Sequence, residues 1–233
     1  MKVAVVIPVY NHEQRIAEVI REVLKLGWPV IVVDDGSTDS TPDILNRIPD
    51  ITVLRHPENL GKGAALLTGF RAARHSCDWA ITLDGDGQHQ PEDAVNLLRA
   101  VPETLRPIVI GNRQGMHGEN VPWTSRFGRR FSNFWVWMAG GPLVHDSQSG
   151  FRLYPLPEAL DLDVRARRFQ FEVEILVKAN RQGLPVIEAP VQVVYQQGAE
   201  RISHFQPWRD FFRNGATFSR LILERIIPGS NKP

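Results

Sequence analysis

The stretch Trp79-Ala80-Ile81-Thr82-Leu83-Asp84-Gly85-Asp86-Gly87-Gln88-His89 decides the fold. Trp79 to Leu83 is a run of apolar and β-branched residues, which predicts a short buried strand. The run stops at Asp84-Gly85-Asp86-Gly87, where the glycines allow a tight turn. Two carboxylates one residue apart therefore sit at the carboxyl end of a strand, with the Gln88 amide and the His89 imidazole just beyond. Ligands of open α/β sheets bind outside that end of the strands. Carboxylate oxygens there suit a hard divalent cation, and such a cation suits a substrate diphosphate. A plain polar turn closed by Asp and Gly is the alternative. An EF-hand reading of Asp-x-Asp-Gly fails, because Val95 stands where a bidentate Glu is needed and His89 where the turn glycine is needed.

The same alternation extends outward from this stretch. Val3 to Ile7 reads as a buried first strand ended by Pro8, followed by a loop through Tyr10. Ile16, Val19, Ile20, Val23 and Leu24 have helical spacing within Glu13 to Leu26, and Gly27 closes the helix. Val30 to Val33 is a second strand, ending at Asp34-Asp35-Gly36-Ser37-Thr38-Asp39, with a short helix starting at Thr41-Pro42. Ile51 to Leu54 is a third strand, and Asn59-Leu60-Gly61-Lys62-Gly63 opens a helix to about Arg74. These strand–helix alternations predict a Rossmann-like α/β fold: a mostly parallel sheet covered by helices on both faces. Further on we expect a helix over Asp93 to Val101 and a strand from Ile108 leading to Gly111-Asn112-Arg113. Beyond a loop from Gln114 to Pro122 we expect a helix over Thr124 to Ala139, a segment Phe171 to Glu174 preceding another helix, and a last strand over Val186 to Val194. No G-x-G-x-x-G follows any strand and no G-x-x-x-x-G-K-[ST] exists, which argues against a dinucleotide dehydrogenase and a P-loop NTPase.

Composition bounds the rest. At 233 residues, 42% hydrophobic and 23% charged, the chain can bury a sizeable core. A net charge of +1 gives no basic field for nucleic acid. Cys77 is the single cysteine, so no intramolecular disulfide forms, and a cytoplasmic location is compatible. No signal peptide is expected, and no apolar run reaches the roughly 18 residues of a membrane span.

Taken together, Val5-Val6-Ile7-Pro8-Val9-Tyr10-Asn11, Val33-Asp34-Asp35-Gly36-Ser37-Thr38-Asp39, Asn59-Leu60-Gly61-Lys62-Gly63, Asp84-Gly85-Asp86-Gly87-Gln88-His89 and Ser149-Gly150-Phe151-Arg152 resemble the family 2 glycosyltransferases, of glycosyltransferase-A fold. Within that family the chain looks most like the dolichol-/polyprenyl-phosphate sugar synthases, over about residues 2 to 205. The resemblance implies a nucleotide-sugar donor, inversion by direct displacement, and Mg2+ or Mn2+. It implies Asp86 and Gln88 as metal ligands and Asp84 facing the nucleotide sugar. The remaining donor contacts are Pro8 and Tyr10 at the first strand tip, Asp35 toward the base, Lys62 toward the phosphates, and Arg201. For Tyr10 the alternative is a core tyrosine, for Asp35 a cap, and for Lys62 a solvated surface lysine.

A hydroxyl acceptor needs a general base, for which Glu172 and Asp146 are the candidates, and a structural ion pair with an arginine is the alternative for both. A phosphate acceptor is already an anionic nucleophile. Arg113, Arg126, Arg129 and Arg130 are candidates to bind such a phosphate, with a solvated basic helix face as the alternative. The segment Arg201-Ile202-Ser203-His204-Phe205 departs from the Gly-x-Ser-Lys usual in the polyprenyl-phosphate enzymes. We therefore expect a transferase domain over 1–206, and over 207–233 an amphipathic extension that lies on the inner membrane surface or docks on the domain. Transfer to a hydroxyl of a glycan or glycolipid, a pyrophosphorylase, and an inactive nucleotide-binding partner of a membrane complex are the rivals. The pyrophosphorylase reading lacks its Gly-rich, Arg-containing loop, since Pro8 to Asn11 follows the first strand.

Overall fold

The computed structural model describes residues 1–114, 123–193 and 207–226, with the side chains of 123–127 and 207–214 outside the description. Its strands are β1 (Val3–Val9), β2 (Val30–Asp34), β3 (Ile51–Arg55), β4 (Trp79–Thr82), β5 (Ile108–Arg113), β6 (Arg152–Pro155) and β7 (Val186–Val191). They form one sheet in the order β3-β2-β1-β4-β6-β5-β7. All pairs are parallel except those of β6, which runs against both β4 and β5. The helices are α1 (Ile16–Leu24), α2 (Thr41–Leu45), α3 (Lys62–Ala73), α4 (Ala94–Arg99), α5 (Trp123–Met138), α6 (Glu158–Asp161), α7 (Phe171–Arg181) and α8 (Pro207–Ile226).

The period of two along β1 sorts its side chains into two cores. Val5, Ile7 and Val9 meet Ile16, Val19, Ile20 and Val23 of α1 and Leu97 of α4. Ala4 and Val6 meet Ala65, Leu66 and Phe70 of α3 and, through them, Ile175 and Leu176 of α7. Both faces are thus apolar, which is why the strands read as continuous hydrophobic runs.

Pro8 does not end β1, contrary to expectation; the strand runs to Val9. Even-numbered residues of β1 face β4, and that ladder stops at Val6–Thr82. Pro8 has no N–H to donate, and it stands past the last rung that would need one. Other boundaries shift for similar local reasons. The Glu13 carboxylate accepts from the Ser40 N–H at 2.9 Å and its own N–H donates to Asp39 at 3.2 Å, so α1 starts later, at Ile16. Phe171 to Glu174 is the first turn of α7 itself, not a segment before it. The last strand ends at Val191. Of the loop Gln114 to Pro122 only Gln114 is described, and Arg201 to Phe205 falls outside the described residues.

Of the two expectations for α8, its described side chains, 215–226, show docking on the domain. Phe218 and Leu221 are buried, and Phe218 stacks near Trp135 of α5 with ring centroids 6.0 Å apart. Arg220 and Arg225 are not free for lipid head groups: Arg220 donates to Glu174 at 2.6 Å and Arg225 to the Met138 carbonyl at 2.9 Å. Among the described side chains of α8, Leu223 and Ile226 are the exposed large apolar ones.

Glu174 holds this dock. Its fully buried carboxylate also accepts from the backbone N–H groups of Arg165 and Ala166, at 3.1 and 2.9 Å. Burial alone would raise its pKa, but the Arg220 hydrogen bond and those N–H groups outweigh it and hold it below 4.5. The unfolded chain therefore takes up this proton first, and the stabilisation is complete above that value and lost as pH falls below it. Replacing Glu174→Gln is expected to cost about 2 kcal/mol at pH 7, or about 4–8 °C in melting temperature. That gap should close as scans are taken toward pH 3; a gap that stays constant contradicts the assignment.

Candidate active site

The chain turns back across the sheet between β1 and β4: β2 and β3 lie on one side of β1, and β4 lies on the other. A crevice opens outside the carboxyl ends of the strands at such a point. Here it is a cleft of about 440 Å³. Pro8 and Tyr10 at the β1 tip, Asp35 at the β2 tip, Lys62 at the start of α3, and Asp84 and Asp86 beyond β4 all line it, with Asn59, Arg168 and Phe169. Six of the expected positions, drawn from four elements, thus converge on one space.

Asp35 is nearly buried. Its Oδ1 accepts from the Leu60 N–H at 3.0 Å and lies 2.7 Å from His56 Nδ1, and its Oδ2 accepts from the Gly61 N–H at 2.7 Å. It therefore clamps the loop into α3, a task a residue at the β2 tip can perform because β3 and α3 close over it. Gly61 has φ +102°, and a Cβ there would lie 2.6 Å from the Arg167 carbonyl oxygen, so only glycine fits this turn.

Lys62 bridges two carboxylates, at 2.6 Å from Asp84 Oδ1 and 2.5 Å from Glu172 Oε1. Its side chain is 15% exposed, so it is not the solvated surface lysine of the alternative reading. Burial alone would lower its pKa, but Asp84 and Glu172 outweigh that and hold it above its ordinary range. Burial likewise opposes ionisation of Asp84, and Lys62 more than compensates, keeping the carboxyl below its usual value. A Cβ on Gly150 would lie 2.5 Å from Asp84 Oδ2 and 2.7 Å from Lys62 Nζ. The Ser147–Gly150 turn therefore presses bare backbone against this ion pair.

Asp146 is fully buried, and Arg113 grips it bidentately at 2.6 and 2.8 Å. Asp146 thus sits in an ion pair with an arginine, as its alternative reading had it, and Arg113 is the partner. Glu172 is also ion-paired, to Lys62 rather than to an arginine. Arg129 is half-buried and Arg130 exposed on α5, the side chain of Arg126 falls outside the description, and so does Arg201.

The turn after β4 offers two carboxylates and a primary amide. Asp86 Oδ1 accepts from the Gln88 N–H at 3.0 Å, which fixes the Asp86 rotamer. Among the described residues, no three His, Cys, Asp or Glu side chains converge to form a protein-only metal cage. The donor set instead fits Mg2+ or Mn2+, which need one or two carboxylates and fill the remaining positions with water and substrate phosphate oxygens. His89 is buried beside the Phe151 ring, its Nδ1 has no hydrogen-bond partner, and burial pushes its pKa down to about 4, with Arg113 and Lys62 adding to the effect and Asp84 opposing it. A neutral imidazole is thus set beside the acidic turn.

Sequence reasoning missed two residues. Arg152, quoted only as part of a motif, is fully buried and donates to the carbonyls of Ser147, Ser149 and Glu172 at 2.7, 2.7 and 2.8 Å. It ties the turn at Gly150 to the helix carrying Glu172. His56 follows β3 with no periodic signal to mark it.

Comparison with known proteins agrees with this geometry. The model of glycosyl transferase family 2 matches residues 4–156. The undecaprenyl-phosphate mannosyltransferase of Micrococcus luteus is 30% identical over 213 residues, covering 86% of each chain. The UDP-N-acetylglucosamine–dolichyl-phosphate N-acetylglucosaminyltransferase of Methanococcus voltae is 29% identical over 214 residues, covering 82% of this chain and 85% of the relative. The crystal structure of mannosyl-3-phosphoglycerate synthase from Rubrobacter xylanophilus superposes with a TM-score of 0.66 at 17% identity, covering 100% of this chain and 78% of that one. Fold and site define a glycosyltransferase of glycosyltransferase-A architecture. The chain belongs to glycosyl transferase family 2, and its relatives place it with the dolichol- and polyprenyl-phosphate sugar synthases.

Proposed function

We propose that the chain moves a sugar, with inversion, from a nucleotide sugar to a polyprenyl-phosphate-like lipid, with Mg2+ or Mn2+ held by Asp86 and Gln88. The observation that carries the acceptor reading is the state of the two candidate bases. Asp146 is committed to Arg113 and Glu172 to Lys62. A hydroxyl acceptor would need one of them to take its proton. A phosphate acceptor needs no base: its oxygen attacks the anomeric carbon, the bond from that carbon to the diphosphate breaks, and the nucleoside diphosphate leaves.

In this reading Pro8, Tyr10 and Asp35 hold the nucleoside, and Asp84 orients the sugar. Lys62 keeps its pairing with Glu172 and exchanges the one with Asp84 for the donor phosphates. A divalent cation at Asp86 and Gln88 offsets charge developing on the leaving group. Arg129 and Arg130, with Arg126 and Arg201, supply cations for the acceptor phosphate and the donor. A thermal-shift panel of nucleoside diphosphates and their sugars, with and without manganese, tests the donor half. A metal-dependent rise with at least one nucleotide sugar is expected; no shift with any of them contradicts the reading.

The lipid acceptor places the protein at the inner membrane surface. No described helix is long and apolar enough to cross a membrane. Phe134 and Trp137 of α5, Leu143 beyond it, and Leu223 and Ile226 of α8 are exposed, as a peripheral contact requires. Full-length chain should sediment with anionic liposomes at low salt, and replacing Trp137 and Leu143 together by serine should release it. Sedimentation unchanged by that substitution contradicts this contact surface.

A further inference from the structure

His56 links Asp35, which lines the cleft, to Thr68 of α3. His56 lies 2.7 Å from Asp35 Oδ1 through Nδ1 and 3.0 Å from Thr68 Oγ1 through Nε2. Its backbone N–H donates to the Asp34 carbonyl at 2.9 Å, so the ring is anchored at the end of β3. An ionised carboxylate only accepts, so Nδ1 carries the proton toward Asp35. The Thr68 hydroxyl can donate to a neutral ring or accept from a charged one, so it holds the ring in either state.

This link changes what Asp35 can offer a ligand. A carboxylate has about four lone-pair sites. Oδ1 has both of its sites taken, by the Leu60 N–H and His56. Oδ2 has one taken, by the Gly61 N–H. A single acceptor is left, on Oδ2, in a residue that lines the cleft. Guanine presents two adjacent donors, an imino and an amino N–H, which call for both oxygens of a carboxylate. Uracil presents one imino N–H between two carbonyls and needs one acceptor. Cytosine and adenine carry a lone pair at the matching ring nitrogen, which a carboxylate repels.

We propose that His56 is a specificity-determining residue: by filling Asp35 Oδ1 it leaves one acceptor for the base and selects a uridine diphosphate donor over a guanosine one. The inference rests on the assignment of Asp35 to the base under the proposed function. His56 touches no substrate; it acts through Asp35 and is a positioning residue.

Calorimetry of the full chain with UDP and with GDP, in manganese, tests it through two substitutions of matched polarity. In His56→Asn the side-chain amide nitrogen takes the place of Nδ1 and still donates to Asp35. In His56→Gln it takes the place of Nε2 and meets only Thr68. Wild type and His56→Asn are expected to bind UDP at least about tenfold tighter than GDP, the worth of one well-made hydrogen bond. In His56→Gln the freed Oδ1 acceptor admits guanine, and the ratio should fall to about one. Tm without nucleotide should stay within a few degrees of wild type in both variants. A ratio in His56→Gln equal to that of wild type overturns the proposal. So does a wild type that binds GDP as tightly as UDP, a result that stands even where His56→Gln fails to fold. A wild type that binds no nucleoside diphosphate at all overturns the proposed function, and this inference with it.

Discussion

Asp86→Asn is expected to lower sugar transfer by at least about a thousandfold, since a catalytic cation supplies several kcal/mol of transition-state stabilisation. The substitution is chosen because asparagine keeps an oxygen for the Gln88 N–H and so preserves the turn. What it removes is one unit of negative charge at the tip of the sheet. A cation held by few protein ligands depends strongly on each of them, and Gln88 contributes no charge. Melting temperature should change by less than a few degrees, while the manganese-dependent thermal shift with nucleotide sugar should vanish. Turnover within tenfold of wild type, or undiminished turnover in excess chelator, contradicts the metal assignment.

The second large effect comes from a residue with no side chain. Gly150→Ala would set a Cβ 2.5 Å from Asp84 Oδ2 and 2.7 Å from Lys62 Nζ. The lysine end can swing, but the short Asp84 side chain cannot without leaving Lys62. The Gly150 carbonyl accepts from Thr82 Oγ1 at 2.7 Å, and Arg152 fastens the neighbouring carbonyls from below. The turn therefore cannot retreat, and the ion pair must move. A displacement of about 1 Å at reacting groups costs on the order of a hundredfold in rate. We expect that loss in kcat with a smaller change in donor affinity, measured by steady-state kinetics beside calorimetry. Wild-type kcat in a folded Gly150→Ala chain would show that the close approach has no catalytic role.

The parts legible in the sequence were those set by local patterning. Apolar runs ending in Asp or Pro marked β1, β2 and β4 because both faces of this sheet are buried. Asp35, Asp84 and Asp86 at the β2 and β4 ends line the cleft, whereas Asp34, the last residue of β2, is buried and accepts from the Ser37 N–H. Long-range pairing was not legible. Nothing in Arg152 to Pro155 says that it inserts antiparallel between β4 and β5. Whether Asp146 faces water or Arg113 depends on that insertion, so the sequence left base and ion pair as equals. In α8, periodicity showed an apolar stripe but not what covers it; α5, α7 and Glu174 decide that. His56 was hidden because a single residue after an edge strand carries no pattern, and its meaning comes only from Asp35 and Thr68 on two other elements.

The proposed acceptor arrives already ionised, because both carboxylates fit to act as bases are tied to cations. The most direct test offers the purified full chain a polyprenyl phosphate and the matching polyprenol side by side, with manganese and a labelled nucleotide sugar found active in the thermal-shift panel. Label should pass to the polyprenyl phosphate alone. Transfer to the free hydroxyl at a comparable rate, or to neither lipid while a glycan hydroxyl is glycosylated, would contradict it.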